Sequence, residues 1–247
     1  MHKTLIPPLA SVALFIGLWQ LSALAAASPL LPSPAAVAAV LADEIRSGQL
    51  PHHLAATLAR LAASFFLAMS LGTAIGILLG RHGRLDRFFD SWLVLFLNIP
   101  ALVTIILCYV WFGLVESAAI AAVVINKLPN VIVTVREGTR ALDKDLLEMA
   151  EVYRFGPIKT LRHVVWPQLS PFLLAAARTG LALIWKIILV VELLGRSDGM
   201  GYQLHLFFQM FDVAAILAYT AAFVVVVQAI ELAILKPLDR RAQRWRR

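Results

Sequence analysis

Lys127, Arg178, Lys186, Glu192 and Glu231 are the residues best placed to do chemistry, because each is ionisable and interrupts a stretch that otherwise carries almost no charge. A charged group in hydrocarbon costs about 2.5–3.5 kcal/mol on insertion scales, so it faces a bundle interior or a water-filled path. Two readings of the lysines stay open. Either Lys127 and Lys186 give a translocation path a positive lining that favours an anion, or each pairs with a carboxylate on another span, as in Lys186 with Glu231 and Lys127 with Glu192. Lys186 and Glu192 cannot pair within one helix, since six residues at 100° each leave them about 120° apart. Arg178 and Glu231, nearer the span ends, suit structural ion pairs or snorkelling. Asn98 with Pro100, and Asn126 with Pro129 and Asn130, interrupt two further apolar stretches. Their prolines free backbone carbonyls, which gives either local kinks or polar path lining, with Asn98 and Asn126 as lining candidates.

The elements holding these residues are membrane spans. Of 247 residues, 60% are hydrophobic and 15% charged, and mean hydropathy is +0.81. That balance excludes an ordinary water-soluble enzyme. A helix needs about 20 apolar residues to cross a bilayer, and six stretches qualify: 5–26, 61–80, 91–115, 117–135, 169–195 and 213–235. The first begins near Lys3 and ends in small residues, as a signal peptide does, but its apolar run is too long for one and it is expected to remain as a span. All of this predicts an all-α integral membrane protein of about six transmembrane helices in one domain spanning 1–247. Within it, 1–54 form the first span and an outer loop, 55–235 the core with an inner loop at 137–168, and 236–247 a basic tail.

The net charge of +7 and pI of about 10.0 fit the anionic inner face of a membrane better than nucleic acid. Arg81, Arg84 and Arg87, then Arg136 to Arg162, then the tail from Lys236 gather in alternate loops. The positive-inside rule therefore puts both termini in the cytoplasm. Between the first two spans the Pro-rich segment 28–53 holds a short helix at 35–45, with His52 and His53 read as solvated loop residues. The lone Cys108 forms no intrachain disulfide and no cysteine-built metal site. No Gly-x-x-x-x-Gly-Lys-Ser/Thr loop, His-Glu-x-x-His helix or Gly-x-Ser-x-Gly elbow occurs, so the chain is read as neither an ATPase nor a hydrolase.

The loop between the fourth and fifth spans opens with a helix marked at both ends. Asp143 can cap its N-terminus, and Gly156, taking a left-handed turn, followed by Pro157 stops it. Leu142, Leu146, Met149, Ala150 and Tyr153 form an apolar stripe, with Asp145, Glu148, Glu151 and Arg154 elsewhere on its surface. Such a helix needs a partner. A second piece, 158–165, ends before Pro167.

Here the chain resembles the membrane subunits of ABC importers. Their signature reads Glu-Ala-Ala, three residues, Gly, nine residues, Ile, one residue, Leu-Pro. This sequence has Glu148-Met149-Ala150, Arg154 at the Gly position, Val164 at the Ile position and Trp166-Pro167 at the end, with Gly156 placed to do the turning two residues later. Thr57-Leu58-Ala59-Arg60 followed by Gly72, Gly76 and Gly80 is similar to importers of the nitrate, sulfonate and taurine type. So are Trp111-Phe112-Gly113, Glu192-Leu193-Leu194-Gly195 and Gly199-Met200-Gly201-Tyr202, which extend the likeness over residues 55–235.

The resemblance implies a type I ABC importer permease fold in the bacterial inner membrane. It implies that the hairpin around Glu148, Met149, Ala150, Tyr153, Arg154, Gly156 and Pro167 is a coupling helix docking on a separate cytoplasmic ABC ATPase. That partner would bind ATP and Mg, leaving no cofactor on this chain. An extracytoplasmic substrate-binding protein and a second copy of the permease complete the assembly, and the cargo is a small anion moved inward by alternating access. A rival reading is a gradient-driven secondary transporter or channel subunit with Lys186 and Glu192 as an ion relay.

Overall fold

A computed structural model describes residues 6–235 and Pro237. Lys3 and the basic residues of the predicted tail lie outside the described residues. Among the described residues every regular element is helical: α1 Ile6–Ala26, α2 Pro34–Arg46, α3 Gln49–Arg81, α4 Gly83–Asn98, α5 Ala101–Phe112, α6 Glu116–Arg140, α7 Lys144–Val152, α8 Pro157–Thr160, α9 Trp166–Gly195, α10 Met200–Gln209 and α11 Val213–Ile230. A π-helical turn, Leu161–Val165, joins α8 to α9, and another, Glu231–Leu235, follows α11.

Among the described residues, four stretches are long and apolar enough to cross a bilayer: α3, α6, the continuous helix Pro157–Gly195 and Val213–Ala233. α1 adds a shorter apolar stretch, Ala10–Ala26. The third predicted span is corrected: it is not one rod over 91–115 but two helices, α4 and α5, bent by 96° across Ile99 and Pro100. Pro100 supplies no N–H and disfavours helical geometry at the residue before it, and Ile99 is accordingly extended at φ −71°, ψ 125°. Both halves nonetheless follow α6. Asp86 and Leu93 of α4 meet Arg136 and Ile132, while Ile105 and Cys108 of α5 share a core with Ala118 and Ala122. Pro129, by contrast, sits inside α6 without breaking it.

The packing centre is the pair α3 and α6, which run parallel in fixed register. A Cβ on Gly72 would lie 2.6 Å from Val131 Cβ, one on Gly76 2.8 Å from Val135 Cβ and one on Gly80 2.5 Å from Thr139 Cβ. The four-residue glycine ladder thus lets α6 approach α3 within one chain. Gly76→Leu would force these helices apart against the backbone carbonyl of Ile132, 2.9 Å from the new Cβ. Overpacking of this kind costs about 1–3 kcal/mol, so a lower melting temperature is expected for Gly76→Leu in detergent, and none for Gly17→Leu, where nothing lies within 4 Å.

α2 forms where expected, with Ser33 Oγ accepting from the Ala36 N–H at 3.2 Å. Tyr219 of α11 donates its hydroxyl to Glu44 of α2 at 2.7 Å and tilts edge-on to Phe207, so α2, α10 and α11 form one wall. Phe15, Phe66, Phe88, Val110, Trp111 and Val225 are left exposed, as a hydrocarbon-facing surface requires.

Candidate functional site

The coupling segment is held at one end of the bundle. Asp143 Oδ1 accepts from the Asp145 N–H at 2.9 Å and the Leu146 N–H at 3.4 Å, satisfying two of the free donors of α7. The Asp143 N–H in turn donates to Gln168 Oε1 at 2.8 Å, which ties the start of α7 to α9. Ala150 is buried and Met149 half-buried, so the predicted stripe is only partly covered. Val152, Tyr153 and Ile158 are 80%, 70% and 81% exposed, and Glu148 and Leu146 are exposed beside them.

The end of α7 differs from expectation. Gly156 is not left-handed: it is extended at φ −68° and precedes Pro157 at the start of α8. The left-handed residue is Arg154, at φ 52°, in the position where the family signature has glycine. Phe155 N–H then closes the turn on Ala150 O at 2.8 Å. A non-glycine residue there carries about 1–2 kcal/mol of backbone cost. The chain also does not stop before Pro167. Because proline cannot donate to the carbonyl four residues back, the ladder widens: the Trp166 N–H reaches Leu161 O five residues back, and α8, the π turn and α9 run on as one 39-residue helix. Pro167 lies exposed in the first turn of α9.

At the far end of that helix lies an ion cluster that sequence reasoning missed. Arg60 of α3 donates Nη1 to Glu192 Oε1 at 2.8 Å, Nε to Glu116 Oε1 at 2.7 Å, and Nη2 to Asp198. Glu192 is fully buried and also accepts from Thr57 Oγ1 and from the Gly201 N–H, each at 2.9 Å. Arg196 joins through Glu116 at 2.9 Å. Burial would raise the Asp198 carboxyl, but its hydrogen bond to Arg60 and the nearby Arg196 charge hold it below its ordinary range. Gly199 is required at φ 108°, and a Cβ there would strike the Glu192 carboxylate. His53 is corrected from loop to core: it is buried in the second turn of α3, accepts from the Gly199 N–H at 3.1 Å and meets Gln203 at 2.6 Å.

This cluster removes Glu192 from the lining candidates and from pairing with Lys127, because its oxygens are engaged by Arg60, Thr57 and Gly201. Lys127 is 2% exposed, with its Cε lying 2.8 Å from where a Gly180 Cβ would sit. It has no ion-pair partner among the described residues. Lys186 is exposed on α9 and shares a cavity of about 350 Å³ with Arg178, Gln228 and Glu231, walled by Trp185 and Phe223. No ion pair joins Lys186 to Glu231. Asn98 and Asn126 spend their amide N–H groups on carbonyls of their own helices, Val94 at 2.7 Å and Ala122 at 2.9 Å.

With this geometry in hand, comparison with known proteins is specific. The family model described as "Binding-protein-dependent transport system inner membrane component" matches residues 72–242. The aliphatic sulfonates transport permease protein SsuC of Bacillus subtilis (strain 168) is 30% identical over 236 residues, which covers 95% of this chain and 85% of that protein. The taurine transport system permease protein TauC of Escherichia coli (strain K12) is 25% identical over 233 residues, covering 92% and 84%. Among solved structures, a chain of the MetNI methionine ABC transporter in an inward facing conformation superposes with a TM-score of 0.67 at 19% identity, covering 81% of this chain and 97% of that one.

Proposed function

Because the chain belongs to the family of binding-protein-dependent transport system inner membrane components, we propose that it is the membrane path of an importer for a small sulfonate-like anion, driven through α7 by a separate ATPase. The observation that carries this reading is the trio Val152, Tyr153 and Ile158: large apolar side chains at the end of the capped helix α7 and in α8 just after it, left exposed among the described residues. Such a patch marks a protein-docking site. α8 begins the 39-residue helix and α7 is tied to it through Asp143 and Gln168, so a push at this segment is carried along that helix to the Glu192 end.

In this reading the α7 end and both termini face the cytoplasm, where the ATPase binds ATP and Mg. A soluble binding protein delivers cargo at the Glu192 end, and a second copy of the chain completes the path. Closure of the ATPase pair draws two α7 segments together and opens the far side; nucleotide release resets it. The names of the relatives SsuC and TauC support a sulfonate or taurine cargo. Lys186 is the positive lining for it; Lys127, packed against Gly180 of α9, joins only where that packing opens, and Asn98 and Asn126 are secondary candidates. The ion-relay alternative loses support because Glu192 is locked to Arg60.

The test is uptake of a radiolabelled sulfonate by proteoliposomes holding the complex that copurifies with this chain. A charge-assisted hydrogen bond contributes about 1.5–3 kcal/mol, so Lys186→Met is expected to lower uptake roughly tenfold or more while basal ATP hydrolysis and the melting temperature hold. Unchanged uptake would remove Lys186 from the path, and uptake without ATP would overturn the motor itself.

A further inference from the structure

A groove of about 450 Å³ opens between α3, α4 and α6, walled by Ile75, Leu79, Phe89, Trp92, Leu128 and Ile132 among others, all of them apolar. Solute sites carry a few placed polar groups that fix orientation; this groove offers none, so the transported anion is not its occupant. On α6 its wall runs from Ile125 to Ile132, about 10 Å at 1.5 Å per residue. That is two-thirds of the roughly 15 Å hydrocarbon depth of one leaflet.

One end of the groove is polar in a particular way. Leu78, Leu79 and Leu85 line it where α3 turns into α4, and Arg81, Arg84 and Arg87 stand exposed at that turn. The acids within reach are already used. Asp86 is paired with Arg136 at 3.0 Å and with Arg140, and Asp90 with Arg136 at 2.6 Å. Arg81 and Arg84 have no ion-pair or hydrogen-bond partner among the described residues, and Arg87 donates only to the Gly83 carbonyl at 3.3 Å. An apolar channel ending at unmatched guanidiniums has the chemistry of one lipid class.

We propose that this groove binds an anionic phospholipid, with an acyl chain along α6 and its phosphate on Arg81 and Arg84. Arginine suits a phosphodiester through bidentate hydrogen bonding, and each methylene buried in the groove adds to binding. A second copy of the chain is the rival occupant, and the crosslink below tests it.

The experiment is native mass spectrometry of the purified full chain titrated with phosphatidylglycerol or phosphatidylcholine of equal chain length. Wild type is expected to hold phosphatidylglycerol at least fivefold better than phosphatidylcholine. Arg81→Ala with Arg84→Ala should erase that preference, and Leu128→Phe, which fills the groove, should lower both adducts. Brominated phosphatidylglycerol should quench the fluorescence that Trp92→Phe removes, a measurement on wild type that does not depend on the other variants folding. Equal retention of phosphatidylglycerol by wild type and the double arginine variant overturns the proposal. So does absence of Trp92 quenching, or efficient crosslinking of Phe96→Cys between two copies in a Cys108→Ala background.

Discussion

Arg60→Leu is expected to be the most damaging single substitution at the Glu192 end of the bundle. It leaves Glu192 fully buried without its counter-ion and strips Glu116 and Asp198 of their shared partner. Removing one member of a buried pair costs about 3–5 kcal/mol, so the variant should purify as aggregate or melt far below wild type. Arg60→Lys should recover only part of the loss, since one ammonium cannot reach three carboxylates on α6, α9 and the following loop in the forked geometry of a guanidinium. Combining Arg60→Leu with Glu192→Leu should cost less than the sum of the single changes, because the stranded charge goes with its partner. If Arg60→Leu melts like wild type, the cluster does not hold the helix ends together.

The second large effect is expected at α7. Val152→Asp with Tyr153→Ala changes two side chains that are 80% and 70% exposed and make no side-chain hydrogen bond among the described residues, so the isolated permease should keep its melting temperature. A buried aromatic anchor contributes about 2 kcal/mol or more at an interface, equivalent to about thirtyfold in affinity. The double variant should therefore lose the copurifying ATPase and its cargo-stimulated hydrolysis. A variant that assembles and transports normally would show that the exposed trio is not the docking face.

How far these residues could be foreseen depends on whether the determining physics is local. Long apolar runs with few charges located α3, α6, α9 and α11, because the bilayer imposes a length that sequence displays directly. Asp143 and the start of α7 were readable for the same reason: a cap and its free N–H groups are neighbours in sequence. The reading of the segment as a lever comes from resemblance to a known family and not from spacing. The 96° break was only half visible, since Pro100 announces an interruption but packing against α6 sets the angle. Arg154 in a left-handed turn was hidden by the rule that glycine takes such positions, with Gly156 standing two residues away as a decoy. Continuity through Pro167 was hidden because a π turn has no residue signature of its own.

The Arg60 cluster was the largest omission. Its members at 60, 116, 192 and 198 come from separate elements and share no periodicity. The one available hint was that Arg60 and Glu192 are opposite charges close to the ends of apolar stretches on the same side of the membrane. His53 was misread because two adjacent histidines suggest a wet loop, whereas α3 begins at Gln49 and buries the second of them against α10.

The account turns on α7 being gripped by a motor. A photocrosslinking amino acid placed at Tyr153 in native membranes should form an adduct with a nucleotide-hydrolysing subunit, and the adduct should change in yield when ATP is trapped. Robust cargo uptake by the same membranes, with no such adduct in either nucleotide state, would contradict it.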